Sequence, residues 1–151
     1  MKREKRTILI LLAEIAILLF FFILCSLSLY LYGHFSYSEK RAYEISWGIS
    51  LPDQIKLVNN KNTKSFHGDG FRHTLYQIDQ MEDLEGFEAE KREEIEEFCI
   101  EIVNDLAVEA KYCPDFTEKY VWKKYVKHDN DILVIIYFPE KKEFHLFQKT
   151  M

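Results

Sequence analysis

The sequence predicts an α+β chain. One N-terminal transmembrane helix is followed by a small antiparallel sheet packed on one main helix, in the order β-β-α-β-β-β. Three observations predict it. An apolar run extends from Thr7 to Tyr32 behind a basic cluster. One apolar stripe recurs at helical spacing between Glu88 and Tyr112. Three β-like segments separated by short turns close the chain after Pro114.

The apolar run comes first. A helix rises about 1.5 Å per residue, so a hydrocarbon core of about 30 Å needs about 20 residues. Residues 7–32 supply these with a surplus for tilt. Lys2, Arg3, Lys5 and Arg6 make residues 1–6 a basic tail, and Tyr30, Tyr32, Phe35 and Tyr37 gather at the far end as an interfacial belt would. The positive-inside rule then keeps the N-terminus cytoplasmic and carries the C-terminal part across. The expected location is the cell membrane in a single pass, with the lipid bilayer as partner through residues 7–32. A cleavable signal has a shorter apolar core, about 7–15 residues, and a small-x-small site. Ser26-Leu27-Ser28-Leu29-Tyr30 is a poor match, and Leu24 ahead of Cys25 argues against lipoprotein processing. Glu14 lies about two turns inside the run. An ionisable residue at that depth is a candidate for contact with a membrane partner, the competing reading being a side chain that snorkels toward headgroups.

Residues 33–46 are polar and aromatic without a clear period, and are read as a tether. Residues 47–151 are read as an extracytoplasmic α+β domain. The chain has 20 Lys+Arg and 25 Asp+Glu, net −5. The first 32 residues hold four of those cations and two of those anions, which leaves 16 against 23 beyond them, net −7. Such a surface does not favour nucleic acid, and no nucleic-acid partner is expected. Cys99 and Cys113 on one helix would stand about 21 Å apart, beyond the roughly 7 Å a disulfide allows. They are read as free thiols, with Cys99 a small core residue.

Within the domain, Trp47 to Leu51 is read as a short strand ended by Pro52, and Ile55-Lys56-Leu57-Val58 as a second apolar patch. A polar loop from Asn59 to Lys64 precedes the alternating strand Phe71 to Asp79. Asp79 and Glu82 have capping-box spacing, and Gly86 separates that turn from the main helix. The helix from Glu88 to Tyr112 buries Ile95, Phe98, Cys99, Ile102, Val103, Leu106 and Ala110, its glutamates lying off the stripe. Tyr120, Trp122 and Val126 alternate with lysines. Ile132 to Phe138 is continuously apolar, as a central strand is, and Phe144, Leu146 and Gln148 alternate in the last strand.

Phe66-His67-Gly68-Asp69-Gly70-Phe71 is the most unusual local string. Two glycines around an aspartate mark positive φ or close chain approach. His67, Gly68, Asp69 and Gly70 are the candidate ligand-binding residues, glycine N–H groups offering an anion nest. The competing reading is a tight connection in which Asp69 caps neighbouring N–H groups. A metal set of His67, Asp69 and His73 lacks a second ligand cluster, and none of His34, His67, His73, His128 and His145 has zinc spacing. No metal or cofactor is expected. No phosphate loop, dinucleotide fingerprint or serine elbow occurs, and Cys99 falls on the buried stripe. No catalytic residue is assigned and the chain is read as no enzyme. The expected role is a membrane-anchored extracytoplasmic binding or accessory protein with a membrane or extracytoplasmic protein partner. Its alternatives are a small-ligand or cation sensor using the Gly-Asp-Gly turn, and an immunity-type or inhibitor protein.

Gly48-Ile49-Ser50-Leu51-Pro52, the string from Phe66 to Gly70 and the stretch from Tyr137 to Phe147 together carry a resemblance. The chain resembles small uncharacterised bacterial proteins, membrane-anchored or lipoprotein-like, with a GI.LP segment, an FHGDG turn before a strand and a C-terminal hairpin ending in an aromatic strand. The resemblance spans most of the domain and implies no activity.

Overall fold

The computed structural model describes residues 14–28, 38–63, 69–79, 81, 83–127 and 130–151. The chain is α+β and divides into two compact units, Met1–Leu51 and Pro52–Met151.

In the first unit, residues 14–28 form helix α1. Fifteen residues reach about 22 Å, short of a hydrocarbon core of about 30 Å. No helix among the described residues is long and apolar enough to cross a membrane. That overturns the transmembrane helix over 7–32, and with it the single-pass topology and the cell-membrane location with a cytoplasmic N-terminus. A run of apolar residues measures composition, whereas a span is counted in helical residues, and the described residues of the run give fifteen. The basic tail, residues 7–13 and 29–32 of the run, and the aromatic belt lie outside the described residues.

Helix α2 spans Glu39–Trp47, where the sequence reading has a tether and the start of a strand. The caps explain the difference. The Ser38 hydroxyl accepts from the Arg41 N–H at 3.3 Å, and Gly48 takes φ +65 and donates its N–H to the Glu44 carbonyl. Ser at the N-cap and a left-handed Gly after the last turn bracket nine residues that carry little apolar periodicity.

The second unit holds five strands: β1 (Ile55–Asn62), β2 (Gly70–Ile78), β3 (Val121–Lys127), β4 (Asp131–Phe138) and β5 (Glu143–Thr150), with helix α3 (Glu93–Asp105) between β2 and β3. The sheet is antiparallel in the order β1-β2-β5-β4-β3. β3, β4 and β5 make a meander, β1 and β2 a hairpin. Register sets the faces: Trp122, Ile136 and His145 form one cross-strand row, Val134, Phe147 and His73 another. Both rows lie on the face that α3 covers with Ile95, Cys99, Ile102, Val103 and Leu106. Each such apolar side chain contributes about 1.5–3 kcal/mol by leaving water. β4 is apolar from Ile132 onward because both its faces are buried, Val134, Ile136 and Phe138 toward α3 and Leu133, Ile135 and Tyr137 on the other.

The helix is shorter than the sequence reading at both ends. Glu88 is extended and bridges to Trp122, with N–H···O bonds of 2.8 and 2.9 Å. This excludes a helical turn there, and of the capping-box pair Glu82 lies outside the described residues. At the other end the Val108 N–H donates to the Val103 carbonyl and the Ala107 N–H to Asn104. These are the two bonds of a Schellman ending, and Ala107 takes the left-handed position at φ 46. Ala110, read as part of the stripe, instead opens a short 3₁₀ turn, Ala110–Tyr112. A Cβ in the left-handed region costs roughly 1 kcal/mol. Ala107→Gly is therefore expected to raise the unfolding free energy by about 0.5–1 kcal/mol in a urea titration; a lower value would show that Ala107 is unstrained.

Candidate functional site

Two places in the sheet unit bring chemistry-bearing side chains together. The first is the turn end of the β1–β2 hairpin. His67 and Gly68 lie outside the described residues; Asp69 and Gly70 stand at the start of β2. Gly70 has φ +133, and a Cβ there would meet the Thr63 hydroxyl oxygen at 1.8 Å. Thr63 closes the hairpin: its N–H donates to the Phe71 carbonyl and its hydroxyl accepts from the Phe71 N–H, both at 2.9 Å. Only a residue without a side chain fits beside it.

Asn62, Arg72 and Gln148 form one cross-strand row next to this turn, on the face away from α3. With Thr63, Asp69 and Gly70 they line a recess of about 40 Å³. At about 10–15 Å³ per water, that holds about three or four waters or part of a small ligand. Its wall combines a carboxylate, a guanidinium, two amides and a hydroxyl. Among the described residues no group of three His, Cys, Asp or Glu side chains could hold a metal ion. His73 faces α3, on the other side of the sheet from this row, and His67, the remaining histidine of the set His67, Asp69 and His73, lies outside the described residues. Glu14, the candidate for contact with a membrane partner, is exposed at the start of α1.

The second place is buried. His73 on β2 and His145 on β5 come together on the α3 face although 72 residues separate them, both fully buried. His73 Nε2 and His145 Nδ1 are 3.1 Å apart, and His145 Nε2 lies 3.5 Å from a Glu143 carboxylate oxygen. Phe147 stacks on His73 at 4.8 Å between ring centroids and on His145 at 5.8 Å, and Phe138 meets His145 edge-on. Sequence reasoning assigned these histidines no common site. The available signal was that each alternates with apolar residues on one strand face, Phe71 and Leu75 around His73, Phe147 beside His145.

The carboxylate fixes the tautomers. An anionic Glu143 accepts from His145 Nε2–H, which leaves His145 Nδ1 to accept from His73 Nε2–H. His73 Nδ1 is then an acceptor, buried and without a hydrogen-bond partner. Burial pushes the His73 imidazole down to about 3, helped by the neighbouring His145. Burial also lowers His145, and the Glu143 bond opposes it. The His145 contact holds the Glu143 carboxyl below its ordinary range. At neutral pH both rings are therefore uncharged, and the His145–Glu143 contact is a hydrogen bond rather than an ion pair. Each imidazole binds protons more weakly in the folded chain than in the unfolded one. The stability this provides is complete above about 6.5 and is lost as pH falls from there toward about 3.

Cys99 is fully buried in the core and burial pushes its thiol well up. Tyr120 donates to Glu96 at 2.6 Å, and burial and that bond raise its phenol.

Comparison with protein-family models, with curated proteins and with solved structures finds no match to this chain. The resemblance carried by Gly48–Pro52, Phe66–Gly70 and Tyr137–Phe147 thus rests on those residues alone.

Proposed function

We propose that the chain is a non-catalytic binding module, its ligand end being the turn end of β1–β2. The observation that carries this reading is the convergence of Asp69 and Arg72 on one small recess flanked by Asn62, Thr63 and Gln148. A carboxylate and a guanidinium on one recess suit a small ligand with both signs of charge: Asp69 faces its cationic group and Arg72 its anionic group. His73, His145 and the Cys99 thiol are closed to water, so none of these three offers an accessible base or nucleophile, which supports a binding role over a catalytic one.

Glycine is the smallest probe with both charges. Added at millimolar concentration to the full-length chain, it is expected to shift the amide resonances of Gly70, Phe71 and Thr150 saturably. Asp69→Ala and Arg72→Gln each abolish that response while the remaining amide spectrum stays native. No saturable shift in the native chain, or a shift that survives both substitutions, overturns the reading.

A second reading is favoured by the outer face of α3, where Ile100 is 44 % exposed among Glu93, Glu97 and Glu101. That face suits a basic protein partner. Binding of a lysine-rich peptide to the native chain but not to Glu97→Lys supports it; equal binding to both overturns it.

A further inference from the structure

We propose that Glu143, His145 and His73 form an acid-released latch on the seam that joins the β1–β2 hairpin to the β3–β4–β5 meander. Among the described residues β2–β5 is the strand pairing that makes this join, since β1 pairs with β2 alone and β3 and β4 lie on the far side of β5. His73 and His145 sit on the two strands of that seam, one row apart. The inference does not depend on whether the recess binds a ligand.

The latch works through donor and acceptor counting. While both rings are neutral, the bonds run in one direction from His73 Nε2–H to His145 Nδ1, and from His145 Nε2–H to Glu143. The Glu143 side chain is 29 % exposed, whereas both rings are closed to water. With Nε2–H engaged by Glu143, a proton taken up by His145 must sit on Nδ1, and both nitrogens of that ring are then donors. His145 Nδ1–H then points at His73 Nε2–H across 3.1 Å. His73 escapes the clash only by carrying its proton on Nδ1, which has no hydrogen-bond partner. Either outcome leaves a buried donor without an acceptor, and separating β2 from β5 relieves it.

The other charged groups around the rings do not remove this conflict. Lys141, held by Asp115 at 3.1 Å and near Glu118, further disfavours a proton on His145. Lys61 is the register partner of His73 on β1. Lys149, on the same face beyond Phe147, is paired with Glu101 of α3 at 3.5 Å. The side chains that α3 turns to the sheet are apolar except the Cys99 thiol.

The test uses the full-length chain with isotope-labelled histidine. Between pH 7 and 4, the ring signals of His73 and His145 are expected to keep their neutral positions until one cooperative step. In that step, amide protection is lost first across β2 and β5 while β3–β4 stays protected. Titration of either ring near pH 6.5 with β2–β5 protection intact overturns the proposal, as does uniform loss across all five strands. Replacing both rings (His73→Gln with His145→Gln) removes the titrating groups and keeps amides able to donate and accept. If this variant folds, its seam opens at least about one pH unit lower than in the native chain. An unchanged midpoint overturns the latch, and if the variant does not fold the histidine signals of the native chain decide.

Discussion

Phe147→Ala is expected to lower the unfolding free energy of the sheet unit by about 3–5 kcal/mol, the range for emptying a buried aromatic site. The Phe147 ring is fully buried on β5, the middle strand, between His73 on β2 and Val134 on β4. It belongs to the core that α3 closes, and it stacks within 23° of the His73 plane and within 2° of the His145 plane. Alanine leaves a cavity bounded by strands on both sides and by the helix above, so the surroundings have little room to collapse. The cavity also lets water toward two imidazoles that stay neutral because they are dry. Their titration then moves back toward about 6.5, and the variant loses stability less steeply with acid than the native chain does. Urea unfolding at pH 7 and at pH 5 reads both effects. A loss under about 1 kcal/mol at pH 7 would show that the ring is not load-sharing in the core; Val126→Ala, 61 % exposed on β3, is the control expected to stay within about 0.5 kcal/mol.

The elements legible in the sequence are those whose apolar pattern is settled by one neighbour. The stripe Ile95, Cys99, Ile102, Val103 and Leu106 repeats at helical spacing because α3 buries one face. β4 reads as an interior strand because both of its faces are buried. What the pattern does not carry are features set by single backbone bonds. The end of α3 rests on Ala107 taking a position that glycine usually signals, so Pro114 was the first visible stop. α2 rests on Ser38 and Gly48, within a stretch whose composition reads as a tether. The apolar run at the N-terminus marks a length of sequence, and only residues 14–28 of it are described as helix.

The two sites divide the same way. Gly70 was legible as a strained or crowded glycine, because a Gly-Asp-Gly string has few other uses. The histidine pair was not, since His73 and His145 meet only once β2 and β5 are known to be neighbours and in register. Alternation puts each ring on the apolar face of its own strand, yet a sequence does not state which strands adjoin.

Gly70→Ala is the second large effect, expected at about 3–5 kcal/mol for one added methyl group. Two costs combine. The φ of +133 lies where a side chain is strained, roughly 1–3 kcal/mol. The new Cβ would also fall 1.8 Å from the Thr63 hydroxyl oxygen and 3.0 Å from its Cβ, an overlap that must displace one strand end at about 1–3 kcal/mol. Thr63 has little freedom to move away, because its N–H and hydroxyl both engage Phe71. The two costs separate in a double-mutant cycle. Thr63→Ala alone loses the acceptor for the Phe71 N–H, about 1 kcal/mol. In the Thr63→Ala background, Gly70→Ala meets no hydroxyl and keeps only the backbone strain and the Cβ contact, so the pair is less destabilising than the sum by about 1–2 kcal/mol. Additive losses would place the whole effect in the backbone dihedral. A loss below about 0.5 kcal/mol for Gly70→Ala alone would mean that the hairpin end adjusts freely, and a hairpin end that adjusts freely cannot hold Asp69 and Arg72 at the fixed separation the proposed ligand site needs.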